Sequence, residues 1–126
     1  MKIRRAKIEE LDQIMNMYKS CVSGMIEANI DQWDNTYPNH MIISEDIRNK
    51  SYYILLIDNK IIGGINIDKI QDKTYLDIEW EDEGNKFLVV HRLAVCKEFW
   101  QEGIGKKLMV FAESLVKEKK LNSIRL

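Results

Sequence analysis

Hydrophobic residues change their spacing along the chain, and each spacing predicts a different element. In the opening "KIRRA" they alternate with charged residues, as in a short, half-buried strand. Over residues 8–25 they recur every three or four positions, which predicts an amphipathic helix. Its apolar stripe consists of Ile8, Leu11, Met15, Tyr18, Val22 and Met25. Residues 29–40 hold the only proline among several turn-forming residues and predict a loop, which Trp33 and Tyr37 interrupt.

The middle of the chain is dominated by strand patterns. "MIISEDIRNK" predicts a short second helix, and "SYYILLI" and "IIGGINI" flank the turn "DNK" as a β-hairpin. "TYLDIEW" predicts a further strand and is followed by the acidic turn "EDEGNK". "FLVVHRLAV", from Phe87 to Val95, is nearly continuously apolar, as expected of a strand covered on both faces.

From Ile104 the spacing is helical again, with an apolar stripe opposite a charged face. The stripe consists of Ile104, Leu108, Phe111, Ala112 and Leu115. The residues "SIRL" then have the pattern of another strand. Together these elements predict a mixed α/β (α+β) fold, a mostly antiparallel sheet flanked by helices, in a single domain over residues 1–126.

Composition narrows the classes of function. A chain of 126 residues buries about two-thirds of its unfolded surface, enough for one core. Its 19 basic and 20 acidic residues give a net charge of -1, so we expect no nucleic-acid partner. Apolar runs are far shorter than the roughly 20 residues of a membrane span, and the start lacks a signal peptide's apolar stretch. We therefore expect a cytoplasmic protein without membrane association.

Metal chemistry is not indicated by the sequence. Cys21 and Cys96 are far apart and form no CxxC motif, and the chain has only two histidines. Free thiols, buried or half-buried, are the expected state of both cysteines. We expect no metal site.

Gly103 and Gly105 lie where the apolar strand gives way to the last helix. The first backbone N–H groups of a helix are unpaired and lie at the positive end of its dipole, so they favour a phosphate. Glycine lets an anion approach the backbone, and Lys106 and Lys107 add positive charge nearby. The alternative is a close-packed turn between the strand and the helix.

Two common phosphate-binding motifs do not fit this junction. A Walker A loop requires a glycine and a Ser or Thr at positions where this chain has Trp100 and Lys107. The dinucleotide fingerprint requires a third glycine where Leu108 stands. The sequence therefore indicates neither a P-loop nucleoside triphosphatase nor a Rossmann enzyme.

The stretch "HRLAVCKEFWQEGIGKKLMVFAESLVKEKKLNSIRL" resembles the acetyl-CoA-binding core of the GNAT superfamily of N-acetyltransferases. In that family a strand ending in a "LAV"-like sequence is followed by a short linker and by the pattern Q/R-x-x-G-x-G/A, which opens the next helix. The pattern here has Trp100 at the position where the family prefers Arg or Gln. The order of the upstream elements also matches. The resemblance implies the acyl-CoA N-acyltransferase (GNAT) fold, with a V-shaped opening between the strand ending at Val95 and the strand starting near Ser123.

The resemblance also implies that acetyl-CoA is the acetyl donor. Its pantetheine would pair with the backbone of Leu93, Ala94 and Val95 as an added strand does. Its pyrophosphate would bind the loop formed by Trp100, Gln101, Glu102, Gly103, Ile104, Gly105 and Lys106. The acceptor amine would attack the thioester directly, which requires a base and an oxyanion donor. A backbone N–H among residues 93–95 is the expected oxyanion donor.

Two residues are candidates for the base. His91 lies two positions before Leu93, so in a regular strand both share one face. Imidazole titrates near neutral pH, and some amine acetyltransferases of the family carry histidine at this position. The alternative is a hydrogen-bonded core histidine. Glu79, in "LDIEW", lies between apolar residues where burial would favour its protonated form, or it belongs to a solvated turn.

The loop after the first helix is where the family builds its acceptor pocket. Trp33 and Tyr37 would line that pocket, or they would anchor the loop to the core.

Members of the family usually continue beyond the strand that starts at "SIRL" with another helix and two more strands. The resemblance therefore implies a C-terminally truncated form with an open flank, which a second copy of the chain could cover in a homodimer. The leading hypothesis is acetyl-CoA-dependent N-acetylation of an amine of a small molecule or peptide. The alternative is a non-catalytic acyl-CoA-binding module or an inactive truncated acetyltransferase.

Overall fold

The computed structural model describes residues 1–30, 33, 38–68, 87–119 and 123–125. Over these residues the strands are β1 (Lys2–Arg5), β2 (Tyr52–Ile57), β3 (Lys60–Asp68), β4 (Phe87–Val95) and β5 (Ser123–Arg125). The helices are α1 (Leu11–Glu27), α2 (His40–Arg48) and α3 (Ile104–Glu118). Short 3₁₀ turns occupy Ile8–Glu10 and Lys97–Phe99. The predicted helices and the described strands are thus confirmed, while "TYLDIEW", the acidic turn "EDEGNK" and most of the loop over residues 29–40 lie outside the described residues.

The described strands form one sheet in the order β1-β2-β3-β4-β5. Strands β1 to β4 are antiparallel to their neighbours, and β5 runs parallel to β4. The β2–β3 turn has Asp58 and Asn59 at φ 51° and 64°, the left-handed conformation that a two-residue type I′ turn requires. Helices α1 and α2 pack on one face of the sheet and α3 packs on the other. This confirms the predicted fold class.

The apolar stripe of α1 differs in detail from the prediction. Tyr18 is buried as expected, but Ile8 is 43% exposed because it lies in the 3₁₀ turn before the helix. Ile14 and Met17 take the inward positions instead, at 0% and 2% exposure. The helix begins only at Leu11, and the predicted stripe residues Leu11, Tyr18, Val22 and Met25 are buried in it.

Strand β4 contains a bulge, and this irregularity positions the candidate site. His91 pairs with Asn66 of β3, and Ala94 pairs with Gly64, so two residues of β4 lie opposite one residue of β3. Arg92, one of those two residues, has φ 56°. An extra residue of this kind bends its strand and interrupts the ladder.

The bulge also reverses the alternation of side chains along β4. His91 shares a face with its pairing partner Asn66 and with Tyr52, which packs under α1 and α2. Leu93 packs on the opposite face, with the residues that contact α3. The prediction that His91 and Leu93 share a face is therefore wrong, because it assumed a regular strand.

Two contacts fix the bulge from the side of α1 and α2. The guanidinium of Arg92 donates to both carboxylate oxygens of Asp46, at 2.7 and 2.8 Å. The carbonyl oxygen of Arg92 accepts a hydrogen bond from the hydroxyl of Tyr18, at 2.5 Å, and that hydroxyl accepts one from Tyr52, at 2.8 Å. Gly64 leaves room for Tyr52, since a Cβ atom there would overlap the Tyr52 hydroxyl.

Replacing Asp46 with Asn should lower the free energy of unfolding by about 3 kcal/mol, because Arg92 would lose the carboxylate that it contacts through two nitrogens in a largely buried pair. Urea unfolding followed by circular dichroism measures the difference. The matched control is Asp58→Asn in the exposed hairpin turn, which should change stability by less than about 0.5 kcal/mol. Equal effects of the two substitutions would contradict the role given to the ion pair.

Candidate functional site

A cleft of about 390 Å³ lies between the C-terminal half of β4 and the N-terminal end of α3. The residues that line it are Cys21, Met25, Leu93, Ala94, Val95, Phe99, Trp100, Gln101, Gly103, Ile104 and Gly105. The structure thus brings together every residue predicted to bind the cofactor except Glu102 and Lys106.

Sequence reasoning missed the contribution of α1 to this cleft. Cys21 and Met25 line it from the helix, and both are buried. Cys21 was predicted only as a buried or half-buried free thiol, which is confirmed, as it is for Cys96. The available signal was Gly24 between them, because a glycine inside a helical pattern usually has a packing or functional reason.

The cleft lies beside the part of β4 that does not pair with β5. The described residues of β5 pair only with Phe87, Leu88 and Val89, at the start of β4. Over the part of the chain that the structure describes, residues 90–95 have no strand on that side. This is the arrangement that the predicted V-shaped opening requires.

The backbone of Val95 points into the cleft. The N–H of Cys96 donates to the carbonyl of Ile62 at 2.8 Å, so these two residues form a hydrogen-bonded pair of the antiparallel ladder. The next pair, Gly63 and Val95, is then of the kind whose N–H and C=O groups point away from each other. Both polar backbone groups of Val95 are therefore directed away from β3.

A side chain of the cleft wall already uses the carbonyl. The indole Nε1 of Trp100 donates to the carbonyl oxygen of Val95 at 2.9 Å. Burial raises the pKa of the Cys21 thiol, and the nearby N–H of Val95 only partly offsets this effect. Cys21 is therefore a neutral thiol near pH 7.

The N-terminal end of α3 is open to an anion. Gly103 is its N-cap, in the left-handed conformation with φ 77°. Glycine has no side chain, so it makes no capping hydrogen bond to the first amides of the helix. The N–H of Lys107 donates to the Gly103 carbonyl at 3.1 Å, so the preceding amides lie before the first intrahelical bond. The first turn contains no acidic residue, and both Lys106 and Lys107 are exposed.

The two glycines are not required by packing. A Cβ atom added at Gly103 or Gly105 would meet nothing within 4 Å. The close-packed turn considered as an alternative is therefore wrong. Open space above unpaired amides, with lysines beside them, suits an anion such as a phosphate.

His91 belongs to a polar network on the other face of β4. Its Nε2 lies 3.2 Å from one carboxylate oxygen of Asp68. The other carboxylate oxygen of Asp68 accepts a bond from the side-chain amide of Asn66 at 2.7 Å. Asn66 is fully buried, and its carbonyl oxygen accepts a bond from the Ser51 hydroxyl at 2.6 Å. The network fixes the carboxylate that faces the imidazole.

The groups that hold the bulge are poor candidates for proton transfer. Burial raises the pKa of Tyr18 far above its ordinary value and raises that of Tyr52 as well, so both stay neutral. Burial also raises the pKa of Asp46, and the Arg92 guanidinium opposes that shift without cancelling it. These residues act as hydrogen-bond partners of the backbone and of one another.

Of the remaining predicted site residues, the structure describes only Trp33. Its ring centroid lies 5.7 Å from that of Tyr18 with a tilt of 57°, and the side chain packs half-buried against the core under α1. The contact anchors this part of the loop. Tyr37 and Glu79 lie outside the described residues.

In the described part of the chain, the His, Cys, Asp and Glu side chains form no group of three or more that could hold a metal ion. None of its helices is both long and apolar enough to span a membrane.

Known proteins resemble this chain in sequence and in fold. A model described as the acetyltransferase (GNAT) family matches residues 11–126. An S-alkylcysteine N-acetyltransferase from Bacillus subtilis (strain 168) is 27% identical over 115 residues, which are 90% of this chain. The chain spans 59% of the length of that curated relative.

Solved structures have the same fold. A proposed acetyltransferase from Staphylococcus aureus Mu50 matches with a TM-score of 0.79 and 29% identity, covering 98% of this chain and 77% of that one. A GNAT-family acetyltransferase from Streptococcus agalactiae 2603 matches with a TM-score of 0.77 and 25% identity, and the match covers 90% of this chain and 69% of that one. The PaiA N-acetyltransferase from Thermoplasma acidophilum, solved in complex with coenzyme A, matches in fold with a TM-score of 0.70 and 19% identity. The match covers 95% of this chain and 74% of that one.

The two glycines should respond differently to alanine. Gly103→Ala should lower the free energy of unfolding by about 1 kcal/mol, because alanine disfavours the left-handed conformation. Gly105→Ala lies within the helix and should raise it by about 0.5 kcal/mol. Thermal unfolding of the two variants measures both effects. A large loss of stability in Gly105→Ala would show that packing requires this glycine.

Proposed function

Since the chain belongs to the acetyltransferase (GNAT) family, we propose that its cleft binds acetyl-CoA and that the protein transfers the acetyl group to an amine. The observation that carries this proposal is the open N-terminal end of α3, whose two glycines have no packing role, next to the half of β4 that no described strand covers. Residues 1–126 would act as a single acetyltransferase domain.

The described residues suggest how each part of the cofactor would be held. The pyrophosphate would accept hydrogen bonds from the amides at the start of α3, with Lys106 and Lys107 supplying positive charge. The pantetheine arm would lie along residues 93–95, where β4 is uncovered. When bound, acetyl-CoA supplies the acetyl group as a thioester.

The oxyanion donor can be narrowed to one amide. Ala94 pairs with Gly64 in the sheet, and Val95 lies beyond it, further from the bulge that Tyr18 and Asp46 hold. Among the three amides considered, we therefore assign the oxyanion to the N–H of Leu93, next to the bulge. The Tyr18 and Asp46 contacts to Arg92 fix the backbone immediately before this amide, so the donor needs little reorganisation during the reaction.

His91 is the base that we favour. Its imidazole faces Asp68, whose orientation is fixed by the buried amide of Asn66. A carboxylate in this position orients the ring and stabilises the imidazolium that forms when His91 accepts a proton. The acceptor would then approach from the α1 and α2 face of the sheet, where Trp33 packs.

The class of acceptor is suggested by the curated relative. That protein is by name an N-acetyltransferase of S-alkylcysteine, a small amino-acid derivative. The first acceptors to test are therefore small molecules with an α-amino group, followed by peptide amines.

A non-catalytic acyl-CoA-binding module is the second candidate. The observation that motivates it is Trp100 in the cofactor loop, at the position where the family prefers Arg or Gln. Release of free coenzyme A thiol, measured with a panel of amines, distinguishes the two functions. Binding without amine-dependent thiol release would favour the binding module.

Gly105→Ala should weaken the binding of acetyl-CoA at least about tenfold while leaving the fold intact, because its Cβ atom would occupy the space above the amides. Isothermal titration calorimetry measures the dissociation constant. The control is Val110→Ala, an exposed position 53% accessible on the same helix, which should bind as the parent protein does. Unchanged binding by a folded Gly105→Ala protein would contradict this placement of the pyrophosphate.

His91→Gln should lower kcat roughly 10²–10⁴-fold, because the amide cannot accept the proton, while KM for acetyl-CoA stays within about threefold. The rise of kcat with pH that reports deprotonation of the base should also disappear. Steady-state rates of thiol release across pH 5–9 measure both. The matched control is the exposed His40, replaced in the same way. Full activity of His91→Gln would exclude it as the base.

A further inference from the structure

We propose that Trp100 competes with the pantetheine arm of acetyl-CoA for the carbonyl oxygen of Val95. In the free protein the indole N–H of Trp100 would occupy the Val95 carbonyl. Cofactor binding would then require the indole to release this hydrogen bond. Trp100 would thus determine the affinity of the cleft for its cofactor. This inference rests on the proposed function, namely that the cleft binds acetyl-CoA.

The Trp100 indole packs into a recess of α1 at Gly24, which we call its seat. A Cβ atom at Gly24 would lie 2.8 Å from Cη2 of Trp100 and 3.0 Å from Cζ2, so only glycine admits the ring at this position. Gly24 is buried inside a helix of 17 residues, where glycine is unfavourable compared with alanine. The helix therefore has a less favourable residue at the position where the ring packs against it.

The seat holds the ring against the uncovered half of β4. Trp100 lines the cleft together with Met25 of the same helix and with Val95. Its Nε1 donates to the Val95 carbonyl at 2.9 Å, a normal length for such a bond. A cofactor amide that approached β4 as an added strand would meet this carbonyl already bonded and the ring beside it.

The two cleft-facing groups of Val95 differ in how easily a cofactor could take them. Its N–H lies near the thiol of Cys21 and affects that thiol's pKa, and sulfur is a weak acceptor, so a cofactor could take this donor readily. Its carbonyl accepts from an indole N–H, a full-strength donor that must find another partner when it is displaced. The Trp100 bond is therefore the one that opposes binding.

Trp100→Phe tests the competition because it keeps an aromatic ring in the seat and removes only the donor. It should bind acetyl-CoA about two- to tenfold more tightly, the effect of one neutral hydrogen bond. Gly24→Ala keeps the donor but pushes the ring out of its seat, and it should tighten binding in the same direction. Ser23→Ala, at the exposed neighbouring position, controls for the gain in helix propensity.

Calorimetry with acetyl-CoA gives the dissociation constants. Tighter binding by both Trp100→Phe and Gly24→Ala, with Ser23→Ala unchanged, supports the competition. Equal or weaker binding by a folded Trp100→Phe protein would overturn it while leaving the proposed function intact. Absence of binding by the parent protein and by every variant would instead overturn the proposed function, and this inference with it.

A second measurement observes the indole directly. In an ¹H–¹⁵N correlation spectrum, the Trp100 indole signal is the one missing from Trp100→Phe. On saturation with acetyl-CoA it should shift and exchange faster with water, because it loses the Val95 carbonyl. An indole signal that keeps its position and its exchange rate would contradict the proposal.

Discussion

The bulge in β4 at Arg92 is the constraint on which the rest of the site depends. Arg92 is held at its side chain by the ion pair with Asp46 and at its carbonyl oxygen by the hydroxyl of Tyr18. A buried ion pair is a costly way to gain stability, and burial even raises the pKa of Asp46. Its value here is geometric, because it imposes a conformation with φ 56° that a strand would not otherwise adopt.

This constraint divides the two halves of the proposed reaction between the faces of one strand. Before the bulge, His91 faces the α1 and α2 side with Asp68 and the buried Asn66. After it, Leu93 packs on the α3 side, and the uncovered backbone leads to the glycines of α3. A regular strand would put the base and Leu93 on one face. The proposed acceptor and cofactor would therefore meet at the bulge from different sides.

Much of the fold and part of the site could be predicted from the sequence, for identifiable reasons. Local patterns predicted β4 with its observed bounds and the helix that begins at Ile104, because strand and helix periods are properties of neighbouring residues. The bulge could not be predicted, since its partners Asp46 and Tyr18 are 46 and 74 positions from Arg92. The seat of Trp100 was missed for the same reason, although an isolated glycine inside α1 was a usable signal.

The central claim is that the backbone amides at the start of α3 bind the pyrophosphate of acetyl-CoA. Amide hydrogen exchange tests it most directly, because the amides of residues 104–106 precede the first intrahelical bond and should exchange rapidly in the free protein. Mass spectrometry of the peptide that covers them, with and without acetyl-CoA, measures the change. The account predicts clear protection on binding. Unchanged exchange in this peptide, with acetyl-CoA bound and protection elsewhere, would contradict it.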